Sequence, residues 1–402
     1  MKSGSALQQY IIVTLSYWAF TLTDGALRML VLFFFHNLGY SPLQIASLFL
    51  LYEFFGIVTN LYGGWLATRI GLNYTLQIGL ALQVIALAML TVDPSMLTLV
   101  YVMAAQALSG IAKDLNKMSA KSSIKSLVAE DQQGTLYRWV ATLTGSKNTL
   151  KGLGFFLGGG LMTVFGFRGG LIFMMLLLIT TLIITWGRLD STTSHYKPKF
   201  SEVLSKSTRI NLLSGARFFL FGSRDIWFVI ALPVFLQSQL NWTHLQVGGF
   251  MASWIIAYGI VQTLAPVMTH STDTSPNGLT LLQWAIGLAL IPAGIALCLS
   301  MGINPTLSLI MGLLLYGAIF AVNSSVHSYL IVAYANKDEV STDVGFYYMA
   351  NAAGRLAGTL LSGFIYQQYG LISCLIGSST MVVLSAIVAA KLPRKILLNK
   401  PL

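Results

Sequence analysis

The chain has 402 residues, of which 55% are hydrophobic and only 9% are charged, and its mean hydropathy is +0.72. Soluble domains carry roughly 25% charged residues, so this composition excludes a soluble globular protein and predicts an all-α, polytopic membrane protein. The net charge of +11 falls mostly in loops beside apolar segments, which indicates membrane topology and argues against nucleic acid as a partner.

Apolar runs of about 20 residues mark transmembrane helices along the whole chain. Twelve are predicted, at 10–35, 43–68, 74–92, 96–116, 140–165, 168–188, 213–237, 245–268, 278–300, 305–332, 344–368 and 370–392. The loops on one side carry Arg168 as their only basic residue, and the other loops carry all remaining loop lysines and arginines. We therefore predict a multi-pass protein of the cell (inner) membrane with both termini in the cytoplasm.

The longest polar connection, 189–210, divides the chain into two halves. We predict an N-terminal six-helix bundle at 1–188, a cytoplasmic interdomain loop at 189–212 and a C-terminal six-helix bundle at 213–402. A shift of 204 residues places Lys151 on Arg355 and Gly166 on Gly370, and a shift of 201 places Asp24 on Asp225. Two pseudo-symmetric, parallel six-helix repeats are the plan of major facilitator (MFS) transporters, whose substrate site lies near the midplane.

Six basic side chains fall inside the predicted spans, where a cation costs roughly 2.5–3.5 kcal/mol on insertion scales. They are Arg28, Lys147, Lys151, Arg217, Arg224 and Arg355. Three in-span acids, Asp24, Glu53 and Asp225, leave an excess of three positive charges. Arginine suits phosphate or carboxylate through its planar fork, and lysine acts as a point charge. We therefore expect these cations to bind an organic anion.

Spacing along each helix suggests how these groups are presented. Asp24 and Arg28 are four residues apart and share a helix face, either as a structural salt bridge or as part of the substrate or proton site. Lys147 and Lys151 have the same spacing, although a lysine near a helix end can instead extend toward the cytoplasm. Arg217 and Arg224, seven residues apart, lie nearly on one face.

Arg355 stands out because a polar stripe leads to it along one helix. Asn351 lies one turn before Arg355, and Tyr347 and Tyr348 lie one turn before Asn351. The sequence therefore predicts that Arg355, Asn351 and Tyr347 contribute to the anion site.

Lysines repeat every four residues at 113–125. This stripe is either a positively charged helix end that faces lipid headgroups or a cationic approach for cytoplasmic anions. In the second case Lys113 and Lys117 belong to the site. Glu53, Asp24 and Asp225 are competing candidates for charge pairing or for a proton-coupling carboxylate, and the sequence does not rank them.

Several strings resemble one group of MFS proteins, the ArsJ-type organoarsenical efflux permeases. They are YWAFTLTDGALRM at 17–29, LGYSP at 38–42, YEFFG at 52–56, AQALSGIAKDLNKMSAKSSIK at 105–125 and LTGSKNTLKG at 143–152. The resemblance is densest before residue 170. The general MFS signature at 64–73 is degraded, since Thr68 stands where that signature usually has Asp.

The resemblance implies an exporter of 1-arseno-3-phosphoglycerate that confers arsenate resistance by alternating access. Its substrate would be a small anionic organoarsenical, and it would lie in the lipid bilayer. Its connection to glyceraldehyde-3-phosphate dehydrogenase would be metabolic and not a physical complex. Proton entry at an acid would reset the carrier. The charged residues by themselves are equally compatible with a transporter of another organophosphate or organic anion. A membrane enzyme is disfavoured because the sequence lacks a nucleophile motif, and Cys298 and Cys374 indicate no thiolate metal site. No cofactor is expected.

Overall fold

A computed structural model describes residues 6–40, 48–129, 131–189, 207–242, 244–269, 275–336 and 340–393. All regular secondary structure in these ranges is helical. The single helices are α1 (Ala6–Asn37), α2 (Leu50–Ile70), α3 (Leu72–Met89), α4 (Leu99–Leu127), α7 (Thr208–Phe228), α8 (Ala231–Ser238), α9 (His244–Met268), α10 (Gly278–Ser300) and α11 (Pro305–Tyr334). Helices α5 and α6 together occupy Gln133–Arg188, and α12 and α13 together occupy Val340–Ala389. A short 3-10 turn, Pro94–Met96, precedes α4.

Glycine breaks the two longest helical stretches. Gly166 has φ 68° and ψ −177°, and Gly370 has φ 75° and ψ −175°. This backbone region is accessible almost only to glycine, because any Cβ would clash with the chain. Gly166 therefore separates α5 from α6, and Gly370 separates α12 from α13. The shift of 204 residues noted in the sequence thus relates two positions with the same unusual backbone.

A proline accounts for the break between α7 and α8, which the sequence predicted as one continuous span. Pro233 has no N–H to donate to the carbonyl of Val229, and its ring would clash with that carbonyl in a straight helix. The chain turns at Val229 and Ile230 before α8 begins. The backbone N–H of Ala231 instead donates to the Ser362 hydroxyl at 3.1 Å.

Length and composition qualify eight helical stretches as membrane spans, counting α7 and α8 together as Thr208–Ser238. Two of the eight contain the glycine breaks and supply two spans each, and the more polar α2 and α4 complete the predicted twelve. Large apolar side chains on the outer faces are widely exposed, as at Val100, Val164 and Val267, which is expected where lipid covers the surface. The prediction of an all-α membrane protein is confirmed. The expected start of the second span, 43–47, lies outside the described residues.

The chain packs into two compact units. The first unit comprises Met1–Ala129, Ser146–Leu204 and Ala335–Met349, and within it α4 packs against α1, α2 and α3. The second comprises Glu130–Gly145, Ser205–Tyr334 and Ala350–Leu402, with an aromatic core that includes Trp227, Trp254 and Tyr316. The first turns of α5 and α12 thus pack with the opposite half of the sequence. The predicted bundle boundaries stay a prediction, and most of the expected loop 189–212 lies outside the described residues.

Each unit contains a close helix crossing next to its charged residues. In the first unit, a Cβ at Gly154 of α5 would lie 2.6 Å from the Leu22 carbonyl oxygen of α1. In the second, a Cβ at Gly358 of α12 would lie 2.5 Å from the Gly222 carbonyl oxygen of α7. Only glycine allows such an approach. Leu22 of α1 and Gly222 of α7 therefore occupy equivalent positions, 200 residues apart. The offset of 201 that aligned Asp24 with Asp225 differs from this structural equivalence by one residue.

Candidate functional site

In the first unit, Arg28 of α1 forms an ion pair with Glu53 of α2. The distance between Arg28 Nη2 and Glu53 Oε1 is 2.8 Å, and the side chains are 24% and 48% exposed, respectively. The Arg28 guanidinium also lies 4.3 Å from the centre of the Tyr52 ring, a favourable cation–π distance. The sequence had left open whether Glu53 pairs with a cation or carries a proton, and the structure gives it a cation.

Asp24 forms a different contact from the one that its spacing suggested. The Tyr52 hydroxyl donates to Asp24 Oδ1 at 2.7 Å, with Oδ2 at 3.0 Å, and both residues are buried. Asp24 still acts on Arg28 electrostatically, but the ion pair of Arg28 among the described residues is with Glu53. The intrahelical Asp24–Arg28 salt bridge is therefore replaced by contacts to α2. Tyr52, which the sequence did not mark as a site residue, connects the two.

The lysines of α4 form a row that alternates with aromatic and acidic groups. Lys113 Nζ lies 4.0 Å from the Tyr52 ring centre and 3.5 Å from Asp114 Oδ2. Lys117 Nζ donates to Asp114 Oδ1 at 2.5 Å and lies 4.3 Å from the Tyr348 ring centre.

The row continues inward rather than toward lipid. Lys121 is 2% exposed, and its ammonium donates to the Tyr348 hydroxyl at 2.7 Å. A headgroup-facing helix end does not bury its lysines in this way, so the structure contradicts that interpretation for Lys113, Lys117 and Lys121.

Lys147 and Lys151 of α5 join this group of charges. Lys147 is near enough to Lys113, Lys117 and Lys151 to be repelled by them, and near enough to Asp114 to be attracted. The Lys151 carbonyl packs against Gly25 of α1, where an added Cβ would lie 2.8 Å from that oxygen. The first-unit cluster therefore consists of six cations, three carboxylates and two tyrosines: Arg28, Lys113, Lys117, Lys121, Lys147, Lys151, Asp24, Glu53, Asp114, Tyr52 and Tyr348.

In the second unit, Asp225 holds two arginines, one through each oxygen. Arg224 Nε donates to Asp225 Oδ1 at 2.6 Å, and Arg355 Nε donates to Asp225 Oδ2 at 3.0 Å. Asp225 is fully buried, whereas the Arg355 side chain is 39% exposed and the Arg224 side chain 15%. The guanidinium of Arg224 also lies against Phe221, with 4.9 Å to the ring centre. One carboxylate thus orients two cations and leaves a net positive charge.

Arg217 lies deeper in the same unit and is 3% exposed. Its Nε donates to Asn351 Oδ1 at 2.9 Å, and its Nη1 donates to the Ser324 hydroxyl at 3.0 Å. Tyr258 and Gln262 also donate to that hydroxyl. Arg217 and Asn351 are brought together, but in an enclosed hydrogen-bonded network. The second-unit cluster consists of Arg217, Arg224, Asp225, Asn351 and Arg355.

Tyr347 lies one turn before Asn351 along α12. It belongs to the first unit, is fully buried and packs its ring against Tyr348 at 5.2 Å. Tyr52 and Ser324 are contacts that the sequence did not single out, whereas Tyr348 and Lys121 belonged to predicted stripes but were not assigned to the site. The signal of the two tyrosines was weak, because an aromatic residue in a membrane helix is usually an interface anchor or a packing residue.

Both clusters carry more positive than negative charge. The first has six cations against three carboxylates and the second has three against one. In surroundings of low dielectric, such groups attract an anion more strongly than they would in water. Among the described residues there is no group of three or more His, Cys, Asp or Glu side chains that could hold a metal ion. The twelve spans and two cationic clusters together define a polytopic membrane transporter.

Comparison with known proteins places the chain in a family. The sequence profile of the Major Facilitator Superfamily matches residues 11–282, which is more than half of the chain, so the chain belongs to this superfamily. A search of curated proteins returned no match.

Solved structures share the fold along nearly the whole chain. The human organic anion transporter TETRAN superposes with a TM-score of 0.71 at 16% identity, over 96% of this chain and 98% of that one. The E. coli fucose:proton symporter gives 0.75 at 10% identity, over 96% and 99%. A bacterial homologue of the iron transporter ferroportin, in an outward-facing state, gives 0.73 at 14% identity, over 95% and 98%. At these identities the likeness shows the fold alone.

Proposed function

We propose that this chain exports an organic anion across the inner membrane by alternating access, and that its cargo is 1-arseno-3-phosphoglycerate. Removal of this ester would protect the cell from arsenate, because the ester otherwise releases arsenate inside. The proposal includes cytoplasmic termini and a metabolic link to glyceraldehyde-3-phosphate dehydrogenase, which forms the ester when arsenate replaces phosphate.

The observation that carries the anion part of the proposal is the surplus of cations in both clusters. Arg355 is the most exposed arginine that forms an ion pair in either cluster, and Asp225 fixes its orientation through Nε. A guanidinium has several N–H donors in one plane, an arrangement that matches the oxygens of a carboxylate or phosphate. Arg224 and Arg28 are similarly oriented by one acid each. A cationic substrate would be repelled by this field, whereas a dianionic or trianionic ester matches it.

The arsenical part of the proposal is supported by the family strings. The resembling segments at 17–29, 52–56 and 105–125 contain Asp24, Arg28, Tyr52, Glu53, Lys113 and Lys117. These residues form much of the first-unit cluster. The strings that resemble organoarsenical permeases therefore coincide with the charged groups that contact one another.

Arsenate tolerance of a sensitive bacterial host tests the cargo. Expression of this chain together with the dehydrogenase should raise the tolerated arsenate concentration, and expression of either protein alone should raise it much less. Tolerance that is independent of the dehydrogenase would show that the ester is not the cargo.

The second candidate is a transporter of another organophosphate. It is favoured by the clusters themselves, since Arg355, Arg224 and Lys147 would serve any phosphate ester. Counterflow of radiolabelled 3-phosphoglycerate into proteoliposomes that contain the purified chain discriminates the two. Rapid exchange of this stable compound without any arsenate phenotype would favour the second candidate.

A further inference from the structure

The three acids that compete for a proton-coupling role differ in accessibility and in partners. Asp225 is fully buried between Arg224 and Arg355. Asp24 is 4% exposed and accepts from the Tyr52 hydroxyl. The Glu53 side chain is 48% exposed and pairs with Arg28, itself one of the candidate substrate ligands. Among these three acids, Glu53 alone combines an accessible carboxylate with a cation that is also a candidate ligand of the proposed cargo.

Charged groups near Glu53 come from two neighbouring helices, α1 and α4. Arg28 and Asp24 face it from α1, with Asp24 held through the adjacent Tyr52. From α4, Lys113 and Asp114 lie beside Gly56, one turn beyond Glu53; a Cβ there would be 3.5 Å from Lys113 Nζ and 2.8 Å from Asp114 Oδ2. Lys113 and Asp114 carry opposite charges and pair with each other, and Arg28 forms an ion pair with the Glu53 carboxylate.

We propose that Glu53 couples the transported anion to a proton that travels in the same direction, by competing with that anion for Arg28. This inference rests on the proposed transport of an organic anion. An anion that binds Arg28 removes the cation from Glu53, and a carboxylate that has lost its cation binds a proton more readily. A proton on Glu53 conversely frees Arg28 for the anion. By linkage, each ligand strengthens the binding of the other by the same factor.

The direction of coupling follows from this cooperativity. Ligands that bind together cross together, so the expected mode is symport of anion and proton. The sequence had suggested instead that a proton enters to reset an empty carrier, which requires proton and cargo to bind in alternation. A dianion or trianion that leaves with one proton still carries negative charge outward, so the inside-negative membrane potential drives its export.

Proton uptake by the purified full-length chain in detergent tests the coupling. The probe is 3-phosphoglycerate, added in weakly buffered solution while a pH indicator reports protons taken up per probe bound. Because the phosphate of the probe also titrates, the diagnostic quantity is the difference between the wild type and Glu53→Gln at the same pH. We expect extra uptake by the wild type. The Kd of the wild type for 3-phosphoglycerate should fall as pH is lowered from 8 to 6. This fall should be steeper than that for Glu53→Gln by up to about tenfold per pH unit.

Asp93→Asn is the matched control, because it also converts an acid to an amide. Asp93 lies in the exposed loop before α4, where hydrogen bonds from the Ser95 hydroxyl and backbone N–H hold the pKa of Asp93 below its ordinary value. It is therefore ionised throughout this pH range, and Asp93→Asn should behave as the wild type.

Equal proton uptake by the wild type and Glu53→Gln, or less uptake by the wild type, overturns the coupling while leaving anion transport intact. If Glu53→Gln does not fold, wild-type proteoliposomes decide the question: an imposed 3-phosphoglycerate gradient should acidify the compartment that the anion enters. Proton movement against the anion overturns the inference. Failure of the wild type to bind or transport 3-phosphoglycerate or any other organophosphate overturns the proposed function itself.

Discussion

The buried ammonium of Lys121 donates a 2.7 Å hydrogen bond to the hydroxyl of Tyr348, a residue 227 positions away in the sequence. Lys121 is 2% exposed, so water does not replace this partner. The contact lies within the first unit and attaches the first turns of α12 to α4. Gly345 packs in the same region, since a Cβ there would lie 2.5 Å from the Asn60 carbonyl oxygen.

Tyr348→Phe removes this hydrogen bond and keeps the aromatic ring. A buried charged donor that loses a partner costs about 1.5–3 kcal/mol, so we expect the free energy of unfolding to fall by that amount. Thermal unfolding of the detergent-solubilised protein measures the change.

In a double-mutant cycle, Lys121→Met should lower the free energy of unfolding less in the Tyr348→Phe background than in the wild type. Additive effects would contradict the pairing. Tyr74→Phe, at a half-exposed tyrosine of α3, is the control.

Arg355→Ala and Arg224→Ala should each abolish transport while the protein still inserts in the membrane. Either variant leaves Asp225 with one arginine, so the carboxylate stays paired and the unit stays folded. Arsenate tolerance and the amount of membrane-inserted protein measure the two outcomes. Arg168→Ala, at an exposed arginine outside both clusters, should transport normally. Normal tolerance in both cluster variants would contradict the anion-binding role.

Asp225→Asn should be more destabilising than either arginine variant. It leaves two arginines beside a neutral and fully buried amide, and removing one partner of a buried ion pair typically costs about 3–5 kcal/mol. We expect a lower thermal unfolding temperature and less inserted protein than for Arg224→Ala. A variant as stable as the wild type would show that the two arginines do not depend on Asp225.

Gly166→Ala and Gly370→Ala should each destabilise the protein. Both glycines have positive φ with ψ near 180°, a conformation that costs about 1–3 kcal/mol for other residues. Gly160→Ala is the control, because Gly160 is helical and a Cβ there meets no atom within 4 Å. It should be neutral or stabilising by about 0.5–1 kcal/mol. Thermal unfolding compares all three, and equal effects would contradict the role of the glycine breaks.

The spans and the repeat could be read from the sequence because both depend on local pattern. Apolar run length sets where a helix crosses the membrane, and the glycine match between positions 166 and 370 reflected a shared backbone requirement. The apolar pattern did not predict the break at Val229 and Ile230, because the residues around it remain apolar. Pro233 is the sequence signal for this break, since proline disfavours a continuous helix.

The pairing of side chains could not be predicted in the same way. Spacing placed Asp24 and Arg28 on one face, but the rotation of α2 decides that Arg28 contacts Glu53 and that Asp24 contacts Tyr52. Lys121 and Tyr348 meet only through packing between distant segments. Which faces of two helices meet is decided by tertiary packing, which the local spacing of residues along one helix does not reveal.

Lys147→Gln should stabilise the anion-free protein and weaken anion binding. Lys113, Lys117 and Lys151 repel Lys147, and Asp114 only partly offsets them. Loss of one like charge relieves this repulsion, so we expect a higher thermal unfolding temperature. The same charge attracts the substrate, so the Kd for 3-phosphoglycerate should rise about tenfold, equivalent to about 1.4 kcal/mol. Opposite changes in stability and affinity are common where a site holds strained charges for function.

Lys391→Gln, at an exposed lysine outside both clusters, should change neither quantity. If Lys147→Gln instead lowered the unfolding temperature and left the Kd unchanged, Lys147 would be a structural residue of α5 and not part of the anion site.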